Sequence, residues 1–258
     1  MTRDETLERL LRGLLDEAGD GNTSLPDGYQ ARRTLLRARM NVRPPVPIDP
    51  ELLALQDALL QAELAEKEVT DADTLPPTPR DGRLSLWRGD ITALRCGAVV
   101  NAANSTLLGC RLPLHNCIDN AIHSAAGIQL RLACHAIIED QSHPEYPGGA
   151  KLTPGYHLPA RYVLHTVGPK VRGAVTDADR ETLRSCYRSC LALAGARQVD
   201  SVAFCCISTG VYGFPAEEAA ALAVETVRAE LDAGVPVNRV IFNVFTPRDE
   251  ALYHTLLF

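Results

Sequence analysis

The sequence predicts an α/β fold, with helices on both faces of a central sheet, preceded by a small helical segment. From about residue 83 onward, short apolar β-rich runs alternate with helical stretches, which is typical of a sheet that is buried on both faces. Before them, leucines recur at helical spacing, and the Pro-rich stretch "DADTLPPTPRDGR" (71–83) resembles a linker. We therefore divide the chain into a helical N-terminal extension, residues 1–82, and a main domain, residues 83–258.

The elements follow in chain order. The extension contains three amphipathic helices, at residues 1–18, 27–42 and 49–68, which Gly- and Pro-rich turns separate. The predicted strands of the main domain are "RLSLW" (83–87), "GAVVN" (97–101), "YVLHTVG" (162–168), "SVAFCCIS" (201–208) and "RVIFNVF" (239–245). Its predicted helices lie near residues 119–138, 178–196 and 216–233. Because a few leucine-rich helices bury little surface alone, we expect the extension to pack on the main domain.

The N-terminus and the cysteine content indicate the compartment. The first residues, "MTRDETLERLLRGLLDEAGDG", alternate charge with leucine and lack the apolar core of a signal peptide. No later apolar run is long enough to span a membrane. We therefore expect a cytoplasmic protein, a monomer without membrane partners, in which the eight cysteines are reduced thiols.

The charge is unevenly distributed along the chain. The net charge is -6, and residues 1–82 hold 10 Lys and Arg against 16 Asp and Glu, whereas residues 83–258 hold 16 of each. A balanced main domain with an acidic extension argues against nucleic acid as a partner, since nucleic-acid binding needs a basic surface. Any phosphate that binds must therefore be held mainly by backbone N–H groups.

Three loops that follow predicted strands are candidates for a ligand site, because α/β folds bind ligands beyond the carboxyl ends of their strands. They are "GDIT" (89–92), "NAANSTLLGC" (101–110) and "STGVYGFP" (208–215). In the third loop, Gly210 and Gly213 let the backbone approach a ligand, and the helix that follows offers free N–H donors. Taken alone, this pattern is equally typical of an ordinary Gly-rich turn.

A cluster of metal-binding residue types follows the second loop. Cys110, His115 and Cys117 lie within eight residues, which favours a metal site over accidental proximity of buried side chains. A fourth ligand would have to come from Cys96, His123, Cys134 or His135. Since none of these forms a second knuckle, we expect one Zn²⁺ with three protein ligands and an open position for substrate or water. Two thiolates balance its charge, so it would be a mild Lewis acid.

Five motifs together resemble the macrodomain family of ADP-ribose-binding modules. The motifs are "GDIT" (89–92), "VVNAANS" (99–105), "CIDNAIHSAAG" (117–127), "LHTVGP" (164–169) and "STGVYGFP" (208–215). The resemblance covers residues 83–258 and implies a three-layer α/β/α macrodomain with a mixed central sheet. The cysteine cluster and "LLRARMNVRPP" (35–45) resemble the zinc-containing microbial branch, whose members resemble mono-ADP-ribosyl hydrolases. Where other macrodomains usually have a glycine pair, this chain has Gly109 followed by Cys110.

The resemblance implies positions for the two ends of ADP-ribose. Asp90 would accept a hydrogen bond from the adenine amino group beside the Ile91 N–H, and Phe245 would cover the adenine ring. Without the resemblance, Asp90 is equally a turn cap and Phe245 a core residue. Asn101 and, more directly, Asn104 would reach the distal ribose, although both also suit a tight Asx turn.

The resemblance also implies which residues contact the diphosphate and which are catalytic. The diphosphate would be wrapped by Ser208, Thr209, Gly210, Val211, Tyr212 and Gly213. Asp119 would be catalytic, with Asn104 beside it, either as a general base on water or by polarising a ribose hydroxyl. As an alternative, Asp119 simply favours the helix dipole at a helix start. We expect His123, one turn further, to support the site or pack rather than to catalyse.

Three functions are compatible with these residues. The leading hypothesis is a zinc-dependent hydrolase that removes mono-ADP-ribose from protein side chains, with an ester to Asp or Glu as the linkage, and releases ADP-ribose. The alternative is a module that binds ADP-ribose or mono-ADP-ribosylated protein without turnover and in which zinc is structural. A metal-free phosphatase acting on a phosphorylated ADP-ribose derivative would leave the cysteine cluster without a role.

Overall fold

The N-terminal extension folds into three helices, as its leucine spacing predicts. The structure is a computed structural model that describes residues 1–258. The helices are α1 (Arg3–Glu17), α2 (Tyr29–Val42) and α3 (Pro50–Glu66). Helix α1 begins with a capping box in which Thr2 and Glu5 accept each other's backbone N–H. Leucines of α1, α2 and α3 form a small core, which Ile128 of the main domain completes.

The main domain contains a mixed six-stranded sheet. In chain order the strands are β1 (Thr70–Asp71), β2 (Leu84–Arg88), β3 (Leu94–Arg95), β4 (Ala98–Ala102), β5 (Ala150–Pro154), β6 (Tyr162–Thr166), β7 (Ser201–Phe204) and β8 (Arg239–Val244). Strands β1 and β3 form a separate parallel pair. The sheet has the order β2-β8-β7-β4-β6-β5, and only the pairing of β5 with β6 is antiparallel. The expected mixed sheet is thus confirmed.

Five helices accompany this sheet in two groups. They are α4 (Ile118–Ala126), α5 (Ile128–Gln141), α6 (Asp177–Ala196), α7 (Ala216–Asp232) and α8 (Pro247–Leu257). Helices α6, α7 and α8 pack side by side, whereas α4 and α5 pack together against β4 and β5. The strand β7 and most of β4 and β8 are buried, as their continuous apolar sequences predict. The three-layer α/β/α class is therefore confirmed.

Some element boundaries differ from those that the sequence predicts. The helix expected at 119–138 is two helices, because Gly127 between them adopts a φ of +97°. Strand β5 and helix α8 were not predicted. Strand β5 contains a lysine and ends at Pro154, and such residues suit the sheet edge where it lies. Strands β6 and β7 end earlier than expected, at Thr166 and Phe204.

Buried polar contacts join the extension to the main domain. The guanidinium of Arg131, in α5, donates hydrogen bonds to the carbonyls of Met40, Asn41 and Arg43, at 2.8, 2.9 and 2.6 Å. These carbonyls lie at the end of α2, where no further helical turn supplies N–H partners. The pairing of β1 with β3 ties the linker to the loop before β4. No helix of the structure is both long and apolar enough to cross a membrane.

Candidate active site

A cleft of about 590 Å³ lies at the carboxyl ends of β2, β4, β7 and β8. The three loops that the sequence singles out form its walls, together with the residues that follow β8. The predicted site residues that line it are Asp90, Ile91, Asn104, Cys110, His115, Cys117, Asp119, Ser208, Thr209, Gly210, Val211, Tyr212 and Phe245. Asn101 and Gly213 do not line it. The three loops, which lie far apart in the sequence, thus line one continuous cleft.

One end of the cleft is formed by Asp90 and Phe245. The Oδ1 atom of Asp90 accepts hydrogen bonds from the Thr92 N–H (2.9 Å) and hydroxyl (2.7 Å), and its Oδ2 atom accepts one from Lys67 Nζ (2.8 Å). Burial acts to raise the pKa of Asp90, but the hydrogen bonds from Lys67 and Thr92 outweigh it and lower the pKa. Phe245 is 68% exposed. The interpretation of Phe245 as a core residue is therefore wrong.

Asp119 lies deeper in the cleft, in the first turn of α4. Its carboxyl group is 5% exposed and is held by two amides, since Asn101 Nδ2 donates to Oδ1 at 2.8 Å and Asn104 Nδ2 donates to Oδ2 at 3.3 Å. Burial raises the pKa of Asp119 to about 6, although these hydrogen bonds oppose the shift. Asp119 therefore lies in a desolvated position of the kind that a general base occupies.

Asn101 requires a correction, because it cannot reach the distal ribose directly. Its side chain is fully buried beneath the cleft, where Nδ2 contacts Asp119 and also lies 3.2 Å from His165 Nδ1. Strand β4 is buried at this position, so the side chain has no route to solvent. Asn104, by contrast, lines the cleft and is fixed by an Asx turn, in which its Oδ1 accepts the Thr106 N–H at 3.0 Å. Asn104 thus forms the Asx turn and also lines the cleft.

Two buried histidines lie behind Asp119. His123 Nε2 is 3.5 Å from Asp119 Oδ1, and neither ring nitrogen of His123 forms a hydrogen bond. The Nε2 atom of His165 lies 2.9 Å from the Thr153 hydroxyl. Burial lowers the pKa of both, to about 3 for His165, and thus disfavours the charged form of each imidazole. His123 thus packs beneath the site, as expected. From the sequence alone we assign no role to His165, although this residue lies within the motif "LHTVGP".

The cysteine cluster forms the wall of the cleft next to Asp119. The ligand atoms of Cys110, His115 and Cys117 all lie within 4.8 Å of one another, and Cys110 Sγ is 3.5 Å from His115 Nδ1. Cys117 also caps α4, since its sulfur accepts the Asn120 N–H at 3.4 Å. No fourth ligand joins this group, and His123 and Cys134 lie in a separate buried cluster with His165. Two sulfurs and one imidazole nitrogen, facing a cleft, fit a zinc ion with an open position.

The loop after β7 offers main-chain donors to the cleft. Ser208 adopts a φ of +64°, and its carbonyl accepts the Phe214 N–H at 3.0 Å, which closes the loop. The N–H groups of Gly210, Val211 and Tyr212 have no partner within the protein. Gly213 requires a correction: its N–H donates to the Gly210 carbonyl at 3.0 Å, and its φ of +72° turns the chain away from the cleft. Gly213 therefore shapes the loop and does not line the cleft.

An α/β domain with its cleft at the carboxyl ends of parallel strands has the site position that is typical of ligand-binding α/β folds. The family model described as Macro domain matches residues 100–223. The chain is 46% identical to a protein-ADP-ribose hydrolase of Treponema medium, over 100% of both chains. It is 45% identical to one of Staphylococcus aureus (strain MRSA252), over 96% of this chain and 93% of that protein. The chain belongs to the macro domain family, which confirms the resemblance seen in the five motifs.

Solved structures of macrodomains agree with this assignment. The Trypanosoma brucei macrodomain in complex with ADP-ribose has a TM-score of 0.67 and 32% identity, and the match covers 86% of this chain and 95% of that one. The Oceanobacillus iheyensis macrodomain with ADP has a TM-score of 0.61 and 36% identity, with 67% and 88% coverage. The fold of this chain is thus that of a macrodomain.

Proposed function

We propose that this protein hydrolyses mono-ADP-ribose from modified protein side chains, with zinc as cofactor and an ester to Asp or Glu as the linkage. One observation carries the proposal: the desolvated carboxyl group of Asp119 and the cluster of Cys110, His115 and Cys117 share one wall of the cleft. The names of the relatives from Treponema medium and Staphylococcus aureus, both protein-ADP-ribose hydrolases, support the same reaction.

The contacts of the cleft suggest how the substrate lies. Adenine would lie at Asp90 and Phe245, because a carboxylate oxygen can accept from the amino group and an exposed ring can stack. The diphosphate would accept from the free N–H groups of residues 210–212. The distal ribose and the modified side chain would then reach Asn104 and Asp119, at the opposite end of the cleft.

At that end of the cleft, the metal-binding cluster and Asp119 would have different roles in the reaction. Zinc bound by the cluster would supply Lewis acidity and orient the reacting end of the substrate. Asp119 would take a proton from a water that attacks the anomeric carbon of the distal ribose, so that a bond from the water oxygen to this carbon forms as the bond from the carbon to the acceptor carboxylate breaks. Asn101 and Asn104 hold the Asp119 oxygens in place. The acceptor carboxylate leaves as an anion, so the site needs no strong acid.

The test compares activity with binding. The native protein should release ADP-ribose from an acceptor modified on Asp or Glu, and Asp119→Asn and Cys117→Ala should lower kcat by about 10²-fold or more. Cys96→Ala, a half-buried thiol outside the cleft, is the matched control and should retain native activity. Tight ADP-ribose binding without any release of product by the native protein would overturn the proposal and support the non-catalytic module.

A further inference from the structure

Helix α2 of the extension contacts the loop that carries the metal ligands. We call residues 107–117 the metal loop. Asn41, near the end of α2, is 1% exposed, and its Oδ1 atom accepts the N–H of Leu114 in this loop at 3.0 Å. Its Nδ2 atom donates to the Ser124 hydroxyl in α4, also at 3.0 Å. A buried amide of the extension thus joins the loop to the helix that carries Asp119.

Leu114 is the residue of the metal loop that most needs such support. It adopts a φ of +58°, a left-handed conformation that side chains with a Cβ disfavour. Its side chain is 42% exposed, so packing does little to hold it. It directly precedes His115, and a change in the Leu114 backbone would therefore move the imidazole away from the two sulfurs. The hydrogen bond that the Leu114 N–H donates to Asn41 Oδ1 fixes the peptide group that sets this position.

A second set of contacts reaches the same loop through Asn120 in α4. Arg37 of α2 donates to Asn120 Oδ1 at 2.8 Å, and Asn120 Nδ2 donates to the Leu112 carbonyl at 3.2 Å. The backbone N–H of Asn120 donates to Cys117 Sγ at 3.4 Å. Asn120, which Arg37 of α2 contacts, therefore holds both ends of the segment 112–117, Leu112 through its side chain and Cys117 through its backbone N–H.

We infer that Asn41 is a positioning residue for the metal site, so that helix α2 is a structural part of the active site. Outer partners that orient metal ligands contribute about 10- to 100-fold in metal affinity. The inference rests on the proposed function, because the ligands that Asn41 positions are those of the proposed zinc. Asn41 contacts neither the cleft nor any ligand atom, and it acts through the Leu114 peptide.

The test measures metal binding rather than activity. The Zn²⁺ affinity of the full-length protein is determined by competition with a chromophoric chelator, and the ligand geometry by the visible absorption of the Co²⁺-loaded form. Asn41→Ala should weaken Zn²⁺ binding by about tenfold or more and change the Co²⁺ spectrum. Ser124→Ala removes the hydrogen bond from Asn41 Nδ2 and a longer one, 3.3 Å, from the Ser124 hydroxyl to Asn120 Oδ1, but it keeps the contacts of Asn41 and Asn120 with the metal loop. It is the matched control and should bind Zn²⁺ within about threefold of the native protein. Native affinity and spectrum in Asn41→Ala would overturn the inference.

Two further measurements separate positioning from folding. Adding Leu114→Gly to Asn41→Ala should restore part of the affinity, because glycine adopts a positive φ without strain. If Asn41→Ala does not fold, amide exchange in the native protein decides: the Leu114 N–H should exchange more slowly than the Asn116 N–H, which has no partner, and equal rates would overturn the inference. If the native protein binds no Zn²⁺, the proposed cofactor is refuted, and so is the inference. If the native protein binds Zn²⁺ and Asn41→Ala binds it with the same affinity, only the inference is refuted.

Discussion

Asp119 is held by amides at both oxygens, and one of these amides lies outside the ligand cleft. Asn104 follows strand β4 and lines the cleft, whereas Asn101 lies within the strand and is fully buried. The motif "VVNAANS" predicts that both asparagines belong to the site. It does not predict their different contacts, because a strand that is buried on both faces gives no pattern to show where each side chain points.

Replacing Asn101 distinguishes contact with the ligand from support of Asp119. In Asn101→Ala, Asp119 Oδ1 loses its 2.8 Å hydrogen bond. We expect kcat to fall by about tenfold or more while the ADP-ribose dissociation constant stays within about threefold of native. Asn104→Ala, in the cleft, should weaken ADP-ribose binding as well. Calorimetry and initial rates measure both quantities, and weakened binding with unchanged kcat in Asn101→Ala would show direct contact with the ligand.

At the scale of elements, the sequence predicts the loops of the site better than the ends of the helices and strands. The loops carry Gly, Asn and Asp, which are residue types that favour turns, and their motifs occur together in one chain. Strand β5 is short and lies at the sheet edge, and although "AKLTP" alternates apolar and polar residues, its lysine and its closing proline are residue types that are rare in strands. The break between α4 and α5 depends on the conformation of Gly127, which the helical periodicity on either side conceals.

Arg131 connects several elements of the structure, and the sequence does not predict this role. Its guanidinium satisfies carbonyls at the end of α2 and also donates to the Leu108 carbonyl in the metal loop, at 2.7 Å. Arg131→Met should lower the free energy of unfolding by about 3 kcal/mol or more, since several buried carbonyls lose their donors. Urea unfolding measures this loss. Arg248→Met, at an exposed ion pair with Glu217, should leave the transition nearly unchanged, and equal midpoints for the two variants would contradict this role.

At the scale of the whole molecule, the extension and the macrodomain share contacts at both ends of the cleft. Lys67, directly after α3, pairs with Asp90 at one end, and Asn41 of α2 binds the metal loop at the other. The net negative charge of the extension does not create an anion site, and the cleft relies on backbone N–H groups instead. These contacts join residues that lie far apart in the sequence. Spacing and composition therefore predict that the extension packs on the main domain, but they do not predict which residues form the contacts.

Metal content measured together with hydrolysis is the most direct test of zinc-dependent removal of ADP-ribose. Native protein purified without added zinc should contain about one zinc per chain. A chelator should abolish release of ADP-ribose from an Asp- or Glu-modified acceptor, and added Zn²⁺ should restore it. Cys110→Ala should lose both the metal and the activity. Full hydrolysis by protein that contains no metal would contradict this mechanism.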